Sequence, residues 1–321
     1  MSDPRYLSKE EVAALLPMDE CIAVMKEAFS NLANGKCLQP LRSLLWLPDR
    51  KGLLGMMPGY AEGPGVLGIK VITVFHGNRD LGLPSHQGTV TLFDAANGKP
   101  LLIADAMEIT SIRTAAASAL ATSILSREDS TRLAIIGTGE QAERHIDAIS
   151  LVRKINEVFL WGRNPEKADQ LARKLSVKYK FTVSIMKSIA ETVQNADIIC
   201  TVTSSSQPVL MGEWLQPGTH INAVGACTPN ARELDTKAVQ MSSLFTDSYE
   251  SLFNEAGDFL IPKKEGAIDD SHTRADLSEL VSGSKTGRSR KDEITLFKSL
   301  GIAAEDIFSA NYMYNKIKSA L

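Results

Sequence analysis

Gly137-Thr138-Gly139-Glu140-Gln141-Ala142 is the stretch of this chain whose residue types and spacing imply chemistry most directly. Leu133 to Ile136 reads as a strand entering it, and Glu140 to Val152 reads as the helix leaving it. In Gly-x-Gly-x-x-Ala the first glycine permits a tight turn, and the second lets backbone approach a pyrophosphate. Ala142 lets helix and strand pack closely, and the N–H groups at the helix start favour phosphate charge. A glycine turn between strand and helix can be purely structural. Here a strand precedes the turn and a second strand, Glu157 to Trp161, follows it, so a dinucleotide is expected.

The end of that second strand bears on which dinucleotide. A cofactor without a 2′-phosphate is usually held there by an Asp or Glu on its ribose hydroxyls. This chain reads Leu160-Trp161-Gly162-Arg163-Asn164-Pro165, with no acid before Glu166. The planar fork of an arginine suits a 2′-phosphate, although such turns often carry a merely solvated arginine. NADPH is the expectation, with NADH as the alternative.

Three cations nearer the start invite a substrate reading. Arg42 precedes an apolar strand, Lys70 alternates with apolar neighbours in Gly68-Ile-Lys-Val-Ile, and Arg113 sits among small residues in Ser111-Ile-Arg-Thr-Ala-Ala-Ala. Buried cations need anionic partners. A substrate carboxylate would supply one. Internal salt bridges or plain exposure would account for each equally well.

These residues need elements to position them. Beyond the glycine turn, strand and helix signals alternate. Pro165 to Tyr179 and Ser188 to Asn195 read as helices, and Phe181 to Met186 and Asp197 to Thr203 as strands. Gly218 to Val224 is a strand, Glu233 to Met241 a helix, and Leu244 to Asp247 a short strand. This is the pattern of an α/β doubly wound parallel sheet of Rossmann type, in which ligands lie beyond the carboxyl ends of the strands. Thr203, Ser204, Val224 and Gly225 are therefore candidate cofactor neighbours, or ordinary turn residues.

The first ~115 residues differ. Lys9 to Asn34 supplies amphipathic helix. Leu44 to Leu47, Leu53 to Pro58, Val66 to Phe75 and Gly88 to Phe93 then read as strands without helices between them. Such strands imply an antiparallel or mixed sheet in a second, α+β domain. Glu108 to Ser126 is a long helix rich in Ala and Ser. Asp292 to Gly301 and Ala303 to Lys318 read as helices returning to the first domain. Ser282 to Lys291 reads as a solvated polar loop rather than a phosphate lid. The expected division is 1–118 with 298–321 for substrate binding and dimerisation, and 119–297 for NAD(P).

Composition excludes several classes. The chain has 321 residues, 44% apolar content and a net charge of −3. No strong bias towards nucleic acid or a membrane surface follows from these values. The start, Met1-Ser-Asp-Pro-Arg, lacks a basic-then-apolar signal pattern. No run approaches the ~18 apolar residues of a spanning helix. Cys21, Cys37, Cys200 and Cys227 lack the paired spacing of a zinc site or a disulfide framework. A cytoplasmic protein without a metal is expected.

Five segments together resemble one known family. They are Arg113-Thr-Ala-Ala-Ala-Ser-Ala, Leu83-Pro-Ser-His-Gln-Gly, Gly137-Thr-Gly-Glu-Gln-Ala, Ile221-Asn-Ala-Val-Gly-Ala and Phe297-Lys-Ser-Leu-Gly. In combination they look like the ornithine cyclodeaminase/mu-crystallin family, over nearly the whole chain. The resemblance implies a homodimer whose N-terminal domain, completed by the C-terminal helix, binds substrate and forms the interface. It implies that Arg42, Lys70 and Arg113 hold a substrate carboxylate. It further implies that Ser85, His86, Thr138, Glu140, Gln141, Arg163, Asn164, Thr203, Val224 and Ser299 line the cofactor. Arg113 is expected to border the cofactor too. Glu255 matches a position near the ligand, or is a solvated helix residue.

One departure bears on activity. Cyclodeaminases and archaeal-type alanine dehydrogenases of the family carry an aspartate just after the strand that ends here at Val224. This chain reads Gly225-Ala226-Cys227-Thr228-Pro229-Asn230, with no carboxylate until Glu233. Cys227 is more simply a small loop residue than a substitute acid. The mu-crystallin branch and the bacterial reductases of cyclic ketimines similarly lack the aspartate. The resemblance therefore implies an NAD(P)H-dependent imine reductase acting on Δ1-pyrroline-2-carboxylate or its six-membered homologue. Lys70 is the candidate for handling the proton. Ornithine cyclodeaminase or alanine dehydrogenase activity is the enzymatic alternative. A non-catalytic, NADPH-dependent ligand-binding protein of crystallin type is the alternative from another class.

Overall fold

The computed structural model describes residues 4–320, apart from the side chains at positions 76, 79 and 80. In chain order, β1 (Arg5–Leu7) leads into α1 (Lys9–Leu15) and α2 (Met18–Ala33). Next come β2 (Cys37–Leu38), β3 (Ser43–Trp46), β4 (Leu53–Ala61), β5 (Val66–Val74), β6 (His86–Asp94), β7 (Pro100–Asp105) and α3 (Ala106–Leu125). Then β8 (Arg132–Ile136), α4 (Glu140–Val152), β9 (Glu157–Trp161), α5 (Pro165–Lys178), β10 (Thr182–Ile185) and α6 (Ile189–Val193) alternate. They are followed by β11 (Ile198–Thr201), β12 (His220–Ala223), α7 (Thr236–Gln240), β13 (Ser243–Thr246), α8 (Tyr249–Glu255) and α9 (Gly257–Lys264). The remaining elements are β14 (Thr273–Asp276), α10 (Leu277–Ser282), β15 (Thr295–Lys298) and α11 (Ala303–Ser319). Contacts group the chain up to Arg113 with the chain from Gly301 on, and Thr114–Leu300 as a second unit. The sequence placed these divisions after residues 118 and 297; contacts put them inside α3 after Arg113 and beyond β15 after Leu300.

The first unit holds a seven-stranded mixed sheet in the order β1-β7-β6-β5-β4-β2, with β3 paired to β4. β1 runs parallel to β7, and the other pairs are antiparallel. Lys9 to Asn34 divides into two helices at Pro17, because the residue before a proline is driven out of the helical region. Ser8 and Glu11 close a capping box at the start of α1. α11 packs across β4 and β5. Gly59 and Gly68 permit this close approach: a Cβ there would lie 2.8 and 2.7 Å from Ile307 side-chain atoms. Period-2 alternation along β5 puts Lys70 on the same buried face as Val66 and Gly68. The edge strand β3 is exposed throughout.

The second unit holds an eight-stranded, wholly parallel sheet in the order β10-β9-β8-β11-β12-β15-β13-β14. Both faces are covered, so central strands read as continuous buried apolar runs such as Leu133–Ile136 and Ile198–Cys200. Strand order reverses at β8, whose neighbours are β9 on one side and β11 on the other. The crevice at such a reversal is where a doubly wound sheet binds ligands.

Three expectations are corrected. Asp292 to Gly301 is not a helix: β15 occupies Thr295–Lys298, fully buried between β12 and β13. Periodicity cannot separate helix from strand in so short an apolar run, and pairing on both sides decides. Glu233 to Met241 is helical only over Thr236–Gln240, because the Asp235 side chain caps Ala238 N–H. That leaves Glu233 outside the helix, at a bend. Ser282 to Lys291 is not simply solvated, since Arg288 turns inward. Its guanidinium donates to Leu125 O (2.7 Å), Thr219 O (3.1 Å) and Thr295 Oγ1 (3.0 Å), and to Glu293 O.

Candidate active site

The cations expected to bind substrate meet inside the first unit. Lys70, on β5, is 2% exposed, and Arg113, on α3, is 4% exposed. The opening of α11 supplies their partners. Lys70 Nζ lies 2.6 Å from Asp306 Oδ2. Arg113 donates to Glu305 Oε2 at 2.7 Å and to Asp306 Oδ1 at 3.1 Å. Arg42, half-buried, donates to the Gly301 carbonyl at 2.9 Å. For Lys70 and Arg113 the internal salt bridge that the sequence left open is therefore present. Glu305 and Asp306 were missed. The signal for them was two acids among small and apolar residues, Ala303-Ala304-Glu305-Asp306-Ile307-Phe308, in a helix that buries its whole first half.

Charge and burial tune this cluster. Burial pushes the Lys70 ammonium down to about 8, against the opposing pull of Asp306. Burial alone would raise the Asp306 carboxyl, but Lys70 and Arg113 hold it below the usual carboxylate range. A lysine with this value exchanges its proton near neutral pH, the condition for an efficient general acid. Ser85 and His86 belong to the same unit, where Ser85 Oγ lies 2.9 Å from His86 Nδ1 at the start of β6.

The glycine turn joins β8 to α4 in the second unit. Gly137 adopts φ +129°, and a Cβ there would lie 2.6 Å from Val202 O at the end of β11. The turn thus sits against the crevice where strand order reverses. Gly139 is the residue preceding α4, no side chain caps the helix, and a Cβ at Gly139 would meet open space. An uncapped 13-residue helix behind a glycine turn suits a dinucleotide's pyrophosphate. Thr138 packs on Gly162, and Arg163 follows, exposed, at the end of β9. Asn164 caps α5, accepting from Lys167 N–H at 3.1 Å. Glu140 opens α4, and Gln141 Oε1 is buried with no hydrogen bond among the described residues.

The ends of β11, β12 and β15 lie side by side. Thr203 follows β11; Val224, 7% exposed, and Gly225 follow β12; Ser299, 2% exposed, follows β15. Ser299 Oγ makes no hydrogen bond among the described residues. Cys227 donates to Val224 O at 3.5 Å, so it is a loop residue held by its own turn. Glu233 is the residue missed here. Its buried carboxylate accepts from Thr203 N–H (2.7 Å), Thr203 Oγ1 (2.7 Å), Thr201 Oγ1 (2.8 Å) and Gly225 N–H (2.7 Å). Burial pushes its carboxyl up, against the pull of Lys298. Lys298 is in turn 3.0 Å from Asp258. Glu255 ends α8 and is half-buried. The described residues contain no cluster suited to a metal and no helix long and apolar enough to cross a membrane.

Known proteins share this arrangement of sequence and fold. The model of the ornithine cyclodeaminase/mu-crystallin family matches residues 3–320. The chain is 37% identical to the ketimine reductase mu-crystallin of Mus musculus over 320 residues, covering 98% of both chains. It is 38% identical to a Δ1-pyrroline-2-carboxylate reductase of Bacillus cereus, covering 97% of this chain and 95% of that one. Among solved structures, it matches the Δ1-pyrroline-2-carboxylate reductase of Thermococcus litoralis, in complex with NADH and L-proline. The TM-score is 0.95, identity is 39%, and 98% of each chain is covered. An archaeal alanine dehydrogenase dimer with bound NAD matches with a TM-score of 0.94 and 31% identity, over 99% of this chain and 97% of that one.

Proposed function

This chain belongs to the ornithine cyclodeaminase/mu-crystallin family, and from that premise we propose that it reduces cyclic ketimines with NAD(P)H. Δ1-pyrroline-2-carboxylate, giving L-proline, is the leading substrate, and the six-membered homologue, giving L-pipecolate, is the second. The observation that carries the reading is the cationic cluster. Arg42, Lys70 and Arg113 stand with Glu305 and Asp306 in one place.

The reaction adds a hydride to the imine carbon and a proton to the imine nitrogen. When bound, the nicotinamide cofactor supplies the hydride. The chain's residues do the rest. Arg42, Lys70 and Arg113 bind the substrate carboxylate and orient the ring. A protonated imine accepts hydride well, but three cations alone would disfavour it. Asp306 and Glu305 offset that repulsion, so iminium and clamp can coexist. Lys70 delivers the proton. Its value of about 8 fixes the sign of the pH dependence: kcat is sustained while Lys70 is protonated and falls as pH rises through about 8. A pH–rate profile of imine reduction checks this, and Lys70→Met should lose that limb.

Deamination is disfavoured because Ala226, 3% exposed, stands where an acid would be needed. Steady-state assays separate the readings. Imine-dependent NADPH oxidation without ammonia release from ornithine supports the reductase, and the converse contradicts it. NADPH binding without turnover of either imine would favour the binding-protein reading.

The preference for NADPH rests on Arg163. Removing a charge-assisted pair loses ~1.5–3 kcal/mol, so Arg163→Ser should lower the ratio of kcat/KM for NADPH over NADH by ~10- to 100-fold. Competition between the two cofactors in one assay measures it. A homodimer and a cytoplasmic setting complete the reading. The exposed edge strand bearing Leu44, Leu45 and Trp46, with Leu38 at 68% exposure, supports a dimer through the first unit. Light scattering should give twice the chain mass, and Leu45→Glu should lower it.

A further inference from the structure

Glu233 is among the buried acids that take no part in the imine chemistry. Its side chain is fully buried, at a bend just before Leu234, which bridges to Leu210. It reaches two adjacent strand ends at once. Oε1 takes the N–H and the hydroxyl of Thr203 after β11, while Oε2 takes the Thr201 hydroxyl and the N–H of Gly225 after β12. These two ends nearly touch: a Cβ at Gly225 would lie 2.6 Å from Glu233 Oε1 and would collide with Thr203 O. The acid is itself held from behind. Asp258 Oδ1 accepts from Glu233 N–H (2.8 Å) and Leu234 N–H (2.9 Å), and its other oxygen meets Lys298 of β15 at 3.0 Å. One ionic knot therefore sets the ends of β11, β12 and β15.

We propose that Glu233 is a positioning residue for the nicotinamide half of the cofactor. The pyrophosphate turn lies at β8 and Arg163 lies beyond β9, on one side of the strand reversal. The other half of a dinucleotide then runs beyond β11 and β12. Glu233 fixes the backbone there, with four donors on one carboxylate. Glutamine cannot replace it, because its NH2 would confront a backbone N–H at Thr203 or Gly225. This inference rests on the cofactor reading, and its test separates the two.

The test compares binding of NADPH with that of 2′-phospho-ADP-ribose, which lacks the nicotinamide, by titration calorimetry on the full chain. It requires no turnover. Glu233→Gln should weaken NADPH about tenfold or more and leave the truncated probe within about twofold. Thr201→Val removes one donor only and should weaken NADPH about threefold with the same selectivity. It decides the matter should Glu233→Gln fail to fold by circular dichroism. Where turnover is measurable, kcat should fall about 100-fold in Glu233→Gln, the scale of a ~1 Å misplacement, with KM for imine little changed. Equal loss for both probes would make Glu233 merely structural and overturn the proposal, as would unchanged NADPH binding. Wild-type protein that binds neither probe would overturn the cofactor reading itself.

Discussion

Asp306→Asn should lower stability by ~3–5 kcal/mol, because it leaves two buried cations short of a carboxylate. The thermal midpoint should fall by roughly 4–7 °C. Lys70 and Arg113 both contact the carboxylate removed, at 2.6 and 3.1 Å. Asparagine retains one acceptor but no charge. Losing Asp306 also removes what opposes the burial effect on Lys70, so the ammonium value drops further below about 8. Less Lys70 is then protonated at neutral pH, and kcat should fall ~100-fold. Calorimetric melting and a pH–rate profile check both halves. The double variant Lys70→Met with Asp306→Leu distinguishes the causes. An apolar pair can restore stability where a broken ion pair cannot, but activity should stay lost. Recovery of both would remove Lys70 from the mechanism.

Gly137→Ala should abolish most cofactor affinity while leaving the protein folded. A residue with a side chain at φ +129° is strained by ~1–3 kcal/mol. The new Cβ would also press on Val202 O at 2.6 Å, forcing the turn away from the end of β11. Since the same backbone is expected to meet the pyrophosphate, Kd for NADPH should rise at least about tenfold. Fluorescence titration measures it. Tm should drop by only a few degrees, since the rest of the parallel sheet keeps its pairing.

What was readable in the chain was local. The glycine turn declares itself through strand, turn and helix in one continuous segment, and α4 and β9 fall where the residues place them. β15 was not readable, because four residues between two long-range partners carry no periodicity of their own. β7 was missed for a related reason: its strand character lies in the short Leu101-Leu102-Ile103, right behind an Asn-Gly turn and a proline. Site residues divide similarly. Lys70 and Arg113 were visible as charges among apolar and small neighbours. Their partners Glu305 and Asp306 lie 192 and 193 residues from Arg113, and only the approach of α11 to Gly59 and Gly68 brings them together. Glu233 read as the start of a helix. Asp235 takes the capping position two residues later, which frees the Glu233 carboxylate for the strand ends.

Isotope transfer shows whether hydride reduces a carbon–nitrogen double bond. Protein would be supplied with Δ1-pyrroline-2-carboxylate and NADPH deuterated at C4 on either face, and the product analysed by mass spectrometry and NMR. The expected product is L-proline carrying one deuterium at C2 from one face of the cofactor only. Unlabelled proline, or cofactor oxidation without proline, would contradict it.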